Sequence, residues 1–173
     1  QLSSVLEDVI GGGFDLVLRS AELESSNLIA RKIAQVRSLV CATPSYWQQH
    51  GLPDSPSALV MLPCVQYGQA TTPRSLLFRR GRQLESVLLQ PVVYSSILSA
   101  MLELVKTGRY FAVLPHFMVS PLLDSGELQA VLQDCPLEPA PLYALYPKRD
   151  YVPPKVRLFL AELKRQLSNR GGL

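Results

Sequence analysis

Apolar and polar residues alternate along this chain in short blocks, and the blocks predict strands separated by amphipathic helices. Strands are predicted where short apolar blocks are bounded by glycine, proline or polar residues: 14–19, 36–42, 64–68, 86–94 and 142–147. The first of them follows a glycine turn at 11–13. Strands that alternate with helices predict an α/β fold.

The strongest helical pattern lies between Ser95 and Gly108. Its apolar residues recur at the spacing of one helix face: Leu98, Met101, Leu102 and Val105. Ser95 or Ser96 is the predicted N-cap, and Gly108 is the predicted end because glycine readily adopts the left-handed conformation that closes a helix. The pattern therefore predicts one amphipathic helix directly before the next strand.

Shorter helical segments and a final helix complete the pattern. Thr43 caps a short helix that ends at Gly51, and further helical turns are predicted at 55–59 and 120–128. The double proline at 153–154 opens the last helix. The apolar face of that helix consists of Val156, Phe159, Leu160, Leu163 and Leu167.

The stretch TGRYFAVLPHF, residues 107–117, contains a strand that ends at a proline. Its five apolar residues, 110–114, form an unbroken run, which is typical of a strand buried on both faces of a parallel sheet. With the strand at 86–94 and the helix between them, it predicts a right-handed strand, helix, strand crossover.

Composition narrows the classes of protein. With 173 residues, 47% hydrophobic and 18% charged, the chain is long enough for one substantial core or two small lobes, and it is too apolar to be disordered. Its apolar runs fall short of the roughly 20 residues that span a bilayer, and Gln1 to Ile10 lacks the features of a signal peptide. The net charge of +3 comes from Lys148 to Arg170 and is too small to indicate a nucleic-acid groove.

Candidate chemistry is sparse. Cys41, Cys64 and Cys135 are odd in number and widely spaced, which argues against a disulfide scaffold or a zinc site and for a reducing, cytoplasmic compartment. They are either buried structural thiols or redox sensors. The GGGFD segment lacks the ending of a phosphate-binding loop, and the chain has no nucleophile elbow and no spaced pair of acids. We therefore expect no enzyme activity, no metal and no cofactor.

Four segments occur in an order and spacing that resemble the effector-binding domain of LysR-type bacterial transcriptional regulators. They are GGGFDLVLR, SSNLIARKIAQVRSLVCATPSYWQQHG, GRYFAVLPHFMVSPLLDSGELQAVL and LYALYPKRDYVPPKVRLFLAEL, within about residues 8–167. The resemblance implies a type II periplasmic-binding-protein-like fold, in which two Rossmann-like lobes are joined by two crossover strands. It puts residues 1–36 and 143–173 in the first lobe and 37–142 in the second, with 36–42 and 142–147 as the crossovers.

The resemblance also implies a role and partners. Domains of this family sense a small-molecule effector in a cytoplasmic regulator that forms a homodimer or homotetramer, and no membrane contact is expected. DNA is contacted only through an N-terminal winged helix-turn-helix, which this stretch of sequence lacks. We also expect that the opening strand and helix of the first lobe are lacking ahead of Gln1.

The effector site implied by the resemblance is the cleft between the lobes, since open α/β sheets bind ligands at the carboxyl ends of strands. The candidate effector-binding residues are Arg19, Ser20, Arg37, Thr43, Tyr67, Ser95, Ser96, Pro115, His116 and Phe117. Ser95 and Ser96 lie at a helix start, whose free N–H groups and positive dipole end favour an anionic effector.

Other interpretations remain open at this point. The structural alternatives are a plain cap for Ser95, Ser96 and Thr43, a structural role for Arg37, a core position for Tyr67, and an ion pair of Arg19 with Asp15 or another acid. The alternatives for the whole domain are a periplasmic solute-binding protein of a transporter and a thiol-based redox sensor.

Overall fold

A computed structural model of the chain describes residues 14–20, 28–71, 75–147 and 153–169, with side chains as far as Gln166 in the last segment. The strands in these residues are β1 (Val17–Arg19), β2 (Leu28–Val36), β3 (Ser38–Ala42), β4 (Cys64–Tyr67), β5 (Leu76–Arg80), β6 (Gln83–Val87), β7 (Val93–Ser95), β8 (Phe111–Pro115), β9 (Gln129–Val131) and β10 (Ala140–Pro147). The helices are α1 (Pro44–His50), α2 (Leu98–Lys106), α3 (His116–Asp124) and α4 (Pro154–Asn169), with a 3₁₀ helix at Pro56–Met61. The glycine turn predicted at 11–13 lies outside the described residues.

Contacts within the chain divide it into two units. The first unit comprises 1–36 and 139–173, and the second comprises 37–138. The sequence prediction has the chain re-enter the first lobe at residue 143, whereas the contacts within the chain put all of β10 in the first unit. The assignment of these units to the family's lobes stays a prediction.

The first unit contains a three-stranded antiparallel sheet in the order β1, β10, β2. Helix α4 packs on one face of it, where Ala144, Tyr146, Val156 and Leu160 form a buried cluster. Strand β2 was not predicted from the sequence. Its exposure is irregular, with three consecutive exposed residues at 30–32, so it lacks the two-residue alternation that identifies a strand.

The second unit is built on a five-stranded sheet in the order β7, β4, β8, β3, β9. Strands β7, β4 and β8 are parallel, while β3 runs antiparallel to both β8 and β9. The buried strand predicted at 110–114 is confirmed as β8, in which Phe111, Ala112 and Leu114 have no exposed surface. The expectation of a parallel sheet holds on one side of β8 only, because its other neighbour is β3.

Both faces of this sheet are covered. On one face, α1 packs Tyr46 and Trp47 against Phe111, and the indole N–H of Trp47 donates to the carbonyl oxygen of Gln129 at 3.0 Å. On the other face, Met101 and Val105 of α2 pack into a second cluster with residues of β8. The sheet is therefore held between helices, as in α/β folds generally.

The strand predicted at 14–19 is shorter in the structure, where β1 is Val17–Arg19, and two other predicted strands are divided. The strand predicted at 36–42 is interrupted at Arg37, which separates β2 in the first unit from β3 in the second. The strand predicted at 86–94 is two strands in different sheets, because β6 pairs with β5 in a hairpin while β7 joins the five-stranded sheet. The hairpin turns at Gly81, whose φ of 61° is a left-handed value that glycine adopts without strain.

Three helix predictions also need correction. Helix α2 begins at Leu98 after Ile97, so neither Ser95 nor Ser96 is its N-cap. Helix α3 begins at His116 rather than at 120, directly after β8. The start of α4 at Pro154 is confirmed, but Phe159 is half exposed instead of buried on the apolar face.

Candidate functional site

The carboxyl ends of three parallel strands lie along one edge of the second unit's sheet, which we call the carboxyl edge. The register pairs Tyr67 with Ser95, and β4 is likewise in parallel register with β8. Strand β3 starts at the same edge because it is antiparallel to β8 and pairs Ser38 with Pro115. With neighbouring strands about 4.8 Å apart, four strand ends fall within roughly 15 Å along this edge.

Helix α2 starts at this edge after a serine turn. The hydroxyl of Ser95 donates to the carbonyl oxygen of Ile97 at 3.1 Å and accepts from the N–H of Ile97 at 3.1 Å. The first bond within the helix runs from the N–H of Met101 to the carbonyl oxygen of Ile97. The N–H groups of residues 98–100 therefore precede the first helical bond, and such groups favour negative charge.

The junction of β8 and α3 is the second feature of the edge. Pro115 is buried at the end of β8, and the next residue, His116, donates its backbone N–H to the carbonyl oxygen of Arg37 at 2.8 Å. Phe117 follows in the first turn of α3 with 51% of its surface exposed. A buried proline and a half-exposed phenylalanine therefore lie within three residues of one another where β8 ends.

The structure brings together most of the predicted site residues. The residues at or beside the carboxyl edge are Arg37, Tyr67, Ser95, Ser96, Pro115, His116 and Phe117. The sequence interpretation missed Ile97, which is 58% exposed directly before α2. Its position became evident only when the start of the helix was known, since the apolar pattern alone would have placed it inside the helix.

Thr43 lies at the other end of the sheet. It follows Ala42, the last residue of β3, and β3 is antiparallel to β8, so five residues separate it from the carboxyl edge. Its side chain caps α1 by accepting from the N–H of Tyr46 at 3.3 Å, and its hydroxyl lies 3.0 Å from that of Ser45. Thr43 therefore caps α1, as the structural alternative expects, and its position away from the carboxyl edge does not favour a part in the effector site, which stays a prediction.

Arg19 and Ser20 belong to the first unit. Arg19 pairs with Tyr143 in the register of β1 and β10, and Ser20 is exposed directly after β1. The proposed partner of Arg19, Asp15, instead forms an ion pair with Lys155, 2.5 Å from Nζ to the carboxylate. The part of these two residues in an effector site stays a prediction.

The three thiols are buried, as the structural alternative expects. Burial raises the pKa of the Cys41 thiol to about 12 and that of Cys64 to about 12, because a thiolate loses its hydration there. Cys41 and Cys64 belong to different core clusters. Within the described residues, no group of three His, Cys, Asp or Glu side chains could hold a metal ion, and no helix is long and apolar enough to cross a membrane.

Comparisons of the sequence and the structure with known proteins identify the same family. The family model for the LysR substrate binding domain matches residues 1–168. The HTH-type transcriptional activator AaeR of Escherichia coli K12 is 29% identical over 163 residues, which are 90% of this chain and 50% of AaeR. The chain thus spans about half the length of the curated relatives it matches.

Solved structures agree with the sequence comparison. The full-length structure of the Vibrio cholerae virulence activator AphB, a member of the LTTR family, matches with a TM-score of 0.74 and 27% identity, covering 93% of this chain and 55% of AphB. The regulatory domain of CrgA, a LysR-type transcriptional regulator from Neisseria meningitidis, matches with a TM-score of 0.74 and 26% identity, covering 91% of this chain and 78% of that domain.

Proposed function

Because the chain belongs to the LysR substrate-binding domain family, we propose that it is the effector-sensing part of a bacterial LysR-type regulator and binds a small anionic metabolite. The observation that carries the proposal is the carboxyl edge, where four strand ends and the start of α2 converge. Ligands of open α/β sheets bind at such edges.

Charge supports an anionic ligand. The N–H groups at the start of α2 carry the positive end of the helix dipole, and Arg37 is an exposed cation at the start of β3. A carboxylate or phosphate beside α2 would accept hydrogen bonds from backbone groups that the helix itself leaves without partners. We therefore assign the anionic group of the effector to the start of α2.

Exposed apolar side chains at the carboxyl edge favour an effector that carries a carbon skeleton beside its anionic group. Tyr67 is 40% exposed, Ile97 58% and Phe117 51%. These side chains would lose exposed apolar surface on contact with a ligand, which contributes about 25 cal/mol for each Å² removed from water. Aromatic carboxylates, amino acids and sugar acids all combine an anionic group with such a carbon skeleton.

The output of binding would be a change in the geometry of an oligomer. An effector that binds one arrangement of the units better than another shifts the population toward it, and DNA-binding portions in the rest of the protein would respond. We propose a cytoplasmic homodimer or homotetramer that contacts DNA only through that other portion. The curated relatives are transcriptional regulators, and no observation on this chain favours a solute-binding protein of a transporter.

A ligand screen tests the proposal. Metabolites with and without an anionic group are added to the protein, and the melting temperature is measured for each. We expect stabilisation by one class of anionic compound, since a ligand that binds only the folded state raises its stability. Stabilisation by uncharged analogues to the same extent would contradict the anionic assignment.

The variant Ser96→Glu locates the site. It puts a carboxylate beside the start of α2 and should repel the anionic compound found in the screen, as measured by calorimetry. Gln48→Glu is the matched control, because it introduces the same charge on an exposed position of α1, at the opposite end of β3. Equal loss of affinity in the two variants, or no loss in either, would mean that the effector binds elsewhere.

A further inference from the structure

Strand β6 has an outer edge with no strand partner among the described residues. It pairs with β5 on one side only, and β5 in turn pairs on its other side with the segment around Leu137. The hairpin is anchored by Phe78 and Val87, which are buried in the core beside α1. An unpaired edge on an anchored strand is a ready template for another strand.

The hydrogen bonds of the hairpin determine which residues of β6 direct their backbone N–H and C=O groups to the outer edge. On β5, the N–H of Arg79 donates to the carbonyl oxygen of Pro136, and the carbonyl oxygen of Leu77 accepts from the N–H of Glu138. The backbone N–H and C=O groups of the odd-numbered residues of β5 are therefore directed away from β6. The even-numbered residues of β5 therefore bond to their partners in β6, which include Glu85, opposite Phe78. Between these inward residues, Leu84 and Ser86 direct their backbone N–H and C=O groups to the outer edge.

The side chains beside this edge are suited to a second copy of the same strand. In an antiparallel pair centred on Leu84, that residue lies opposite its own copy, and Gln83 lies opposite Glu85 of the other copy. Leu84 is 54% exposed, and Leu77 on the same face of the hairpin is 44% exposed. The pair would cover apolar surface on one face and bring an amide donor to a carboxylate on the other.

We propose that two copies of this domain associate through β6, antiparallel and with Leu84 on the two-fold axis. The occupant of the edge is a second copy because the pairing is self-complementary, as a two-fold contact requires. One strand pair buries less than the roughly 1,000 Å² typical of a stable interface, so the contact should be weak in the isolated domain. It would add to other contacts within an oligomer of the longer protein.

A disulfide trap tests the register. Two Leu84→Cys chains would bring the new thiols together, since hydrogen-bonded partners in an antiparallel pair have Cα atoms about 5.5 Å apart, within the range of a disulfide. Oxidised glutathione accepts the electrons from the two thiols. The native thiols are buried and should not interfere. We expect a covalent dimer whose yield rises with protein concentration.

Ser86→Cys is the matched control. Ser86 is also exposed and also faces the outer edge, but its two copies would be about 14 Å apart along the strands, too far for a disulfide. Equal cross-linking of both variants, or of neither, would overturn the proposal.

Two further measurements do not depend on the Leu84→Cys variant. Gln83→Cys mixed with Glu85→Cys should form a covalent heterodimer, while each variant alone should form no covalent dimer. In sedimentation experiments on the whole chain, Leu84→Lys should abolish the weak association. Association that persists unchanged in Leu84→Lys would put the contact on another surface, and the proposed pairing would be wrong.

Discussion

The backbone N–H of His116 donates to the carbonyl oxygen of Arg37 across 2.8 Å, and this bond ties the first residue of α3 to the residue before β3. It brings the end of β8 and the start of the second unit to one point on the sheet edge. Because this bond joins backbone atoms, the main chain of both residues lies next to the end of β8. Backbone hydrogen bonds therefore determine which residues lie together in the candidate site.

Phe117→Ala should weaken binding of the effector by about 1 kcal/mol, roughly fivefold, because an exposed half of the ring is the part that a ligand covers. Calorimetry with the compound found by screening measures the change. Phe159→Ala is the control, since that ring is 50% exposed on α4 in the first unit. A loss of affinity in Phe159→Ala equal to that in Phe117→Ala would argue against a ligand at the carboxyl edge.

Thr43→Ala should lower the free energy of unfolding by about 1 kcal/mol through the lost cap of α1, and should leave effector affinity unchanged. Urea unfolding and calorimetry on the same sample separate the two effects. Thr43→Ser keeps the hydroxyl and should restore most of the stability. A marked loss of affinity in Thr43→Ala, at unchanged stability, would instead support a part for this residue in the effector site.

Gly108→Ala should destabilise the domain by about 1 to 2 kcal/mol, because φ is 75° and an added Cβ would lie 3.2 Å from the Ser45 hydroxyl and 3.3 Å from that of Thr43. Gly126→Ala is the matched control, with φ of 77° and no atom within 4 Å of the added Cβ. Urea unfolding of both variants isolates the crowding. Equal losses would mean that the two hydroxyls move aside at no cost.

The thiols should resist modification in the folded protein. Since burial raises the pKa of Cys41 and Cys64 to about 12, neither forms appreciable thiolate near neutral pH, and the thiolate is the reactive species. Labelling with iodoacetamide between pH 7 and 9, followed by mass spectrometry, should show modification only in urea. Rapid labelling of the native protein, or oxidation by peroxide at either residue, would revive the redox-sensor alternative.

The same pKa shifts predict how stability depends on pH. In the unfolded chain these thiols ionise near their ordinary pKa of 9.0, whereas in the folded protein they stay protonated to higher pH. The contribution of the two protonated thiols to the free energy of unfolding is therefore complete below about pH 9. It is lost as pH rises toward 12, because the thiols of the unfolded chain release their protons first. Urea unfolding across this range should show the decline, and Cys41→Ala should reduce it.

The sequence by itself determined the elements whose signals are local. Thr43, Pro44 and Gly51 define α1 because capping, a fixed φ and a left-handed stop act within one turn of the chain. The apolar run of β8 and the helical spacing of α2 are equally local, and both were predicted. The family followed from the order of such segments and was confirmed by the comparisons.

Only the tertiary structure decided where these elements lie. A strand's sequence does not encode the direction of its neighbour, so nothing local showed that β3 is antiparallel to β8 and carries Thr43 to the far end of the sheet. The split of 86–94 between β6 and β7 likewise depends on which partner each half pairs with. Strand β2 lacks alternation and forms because β10 pairs with it from Leu28 to Val36, with one bulge at Ile33. Pairing between distant segments, which local patterns do not contain, therefore set the membership of the candidate site.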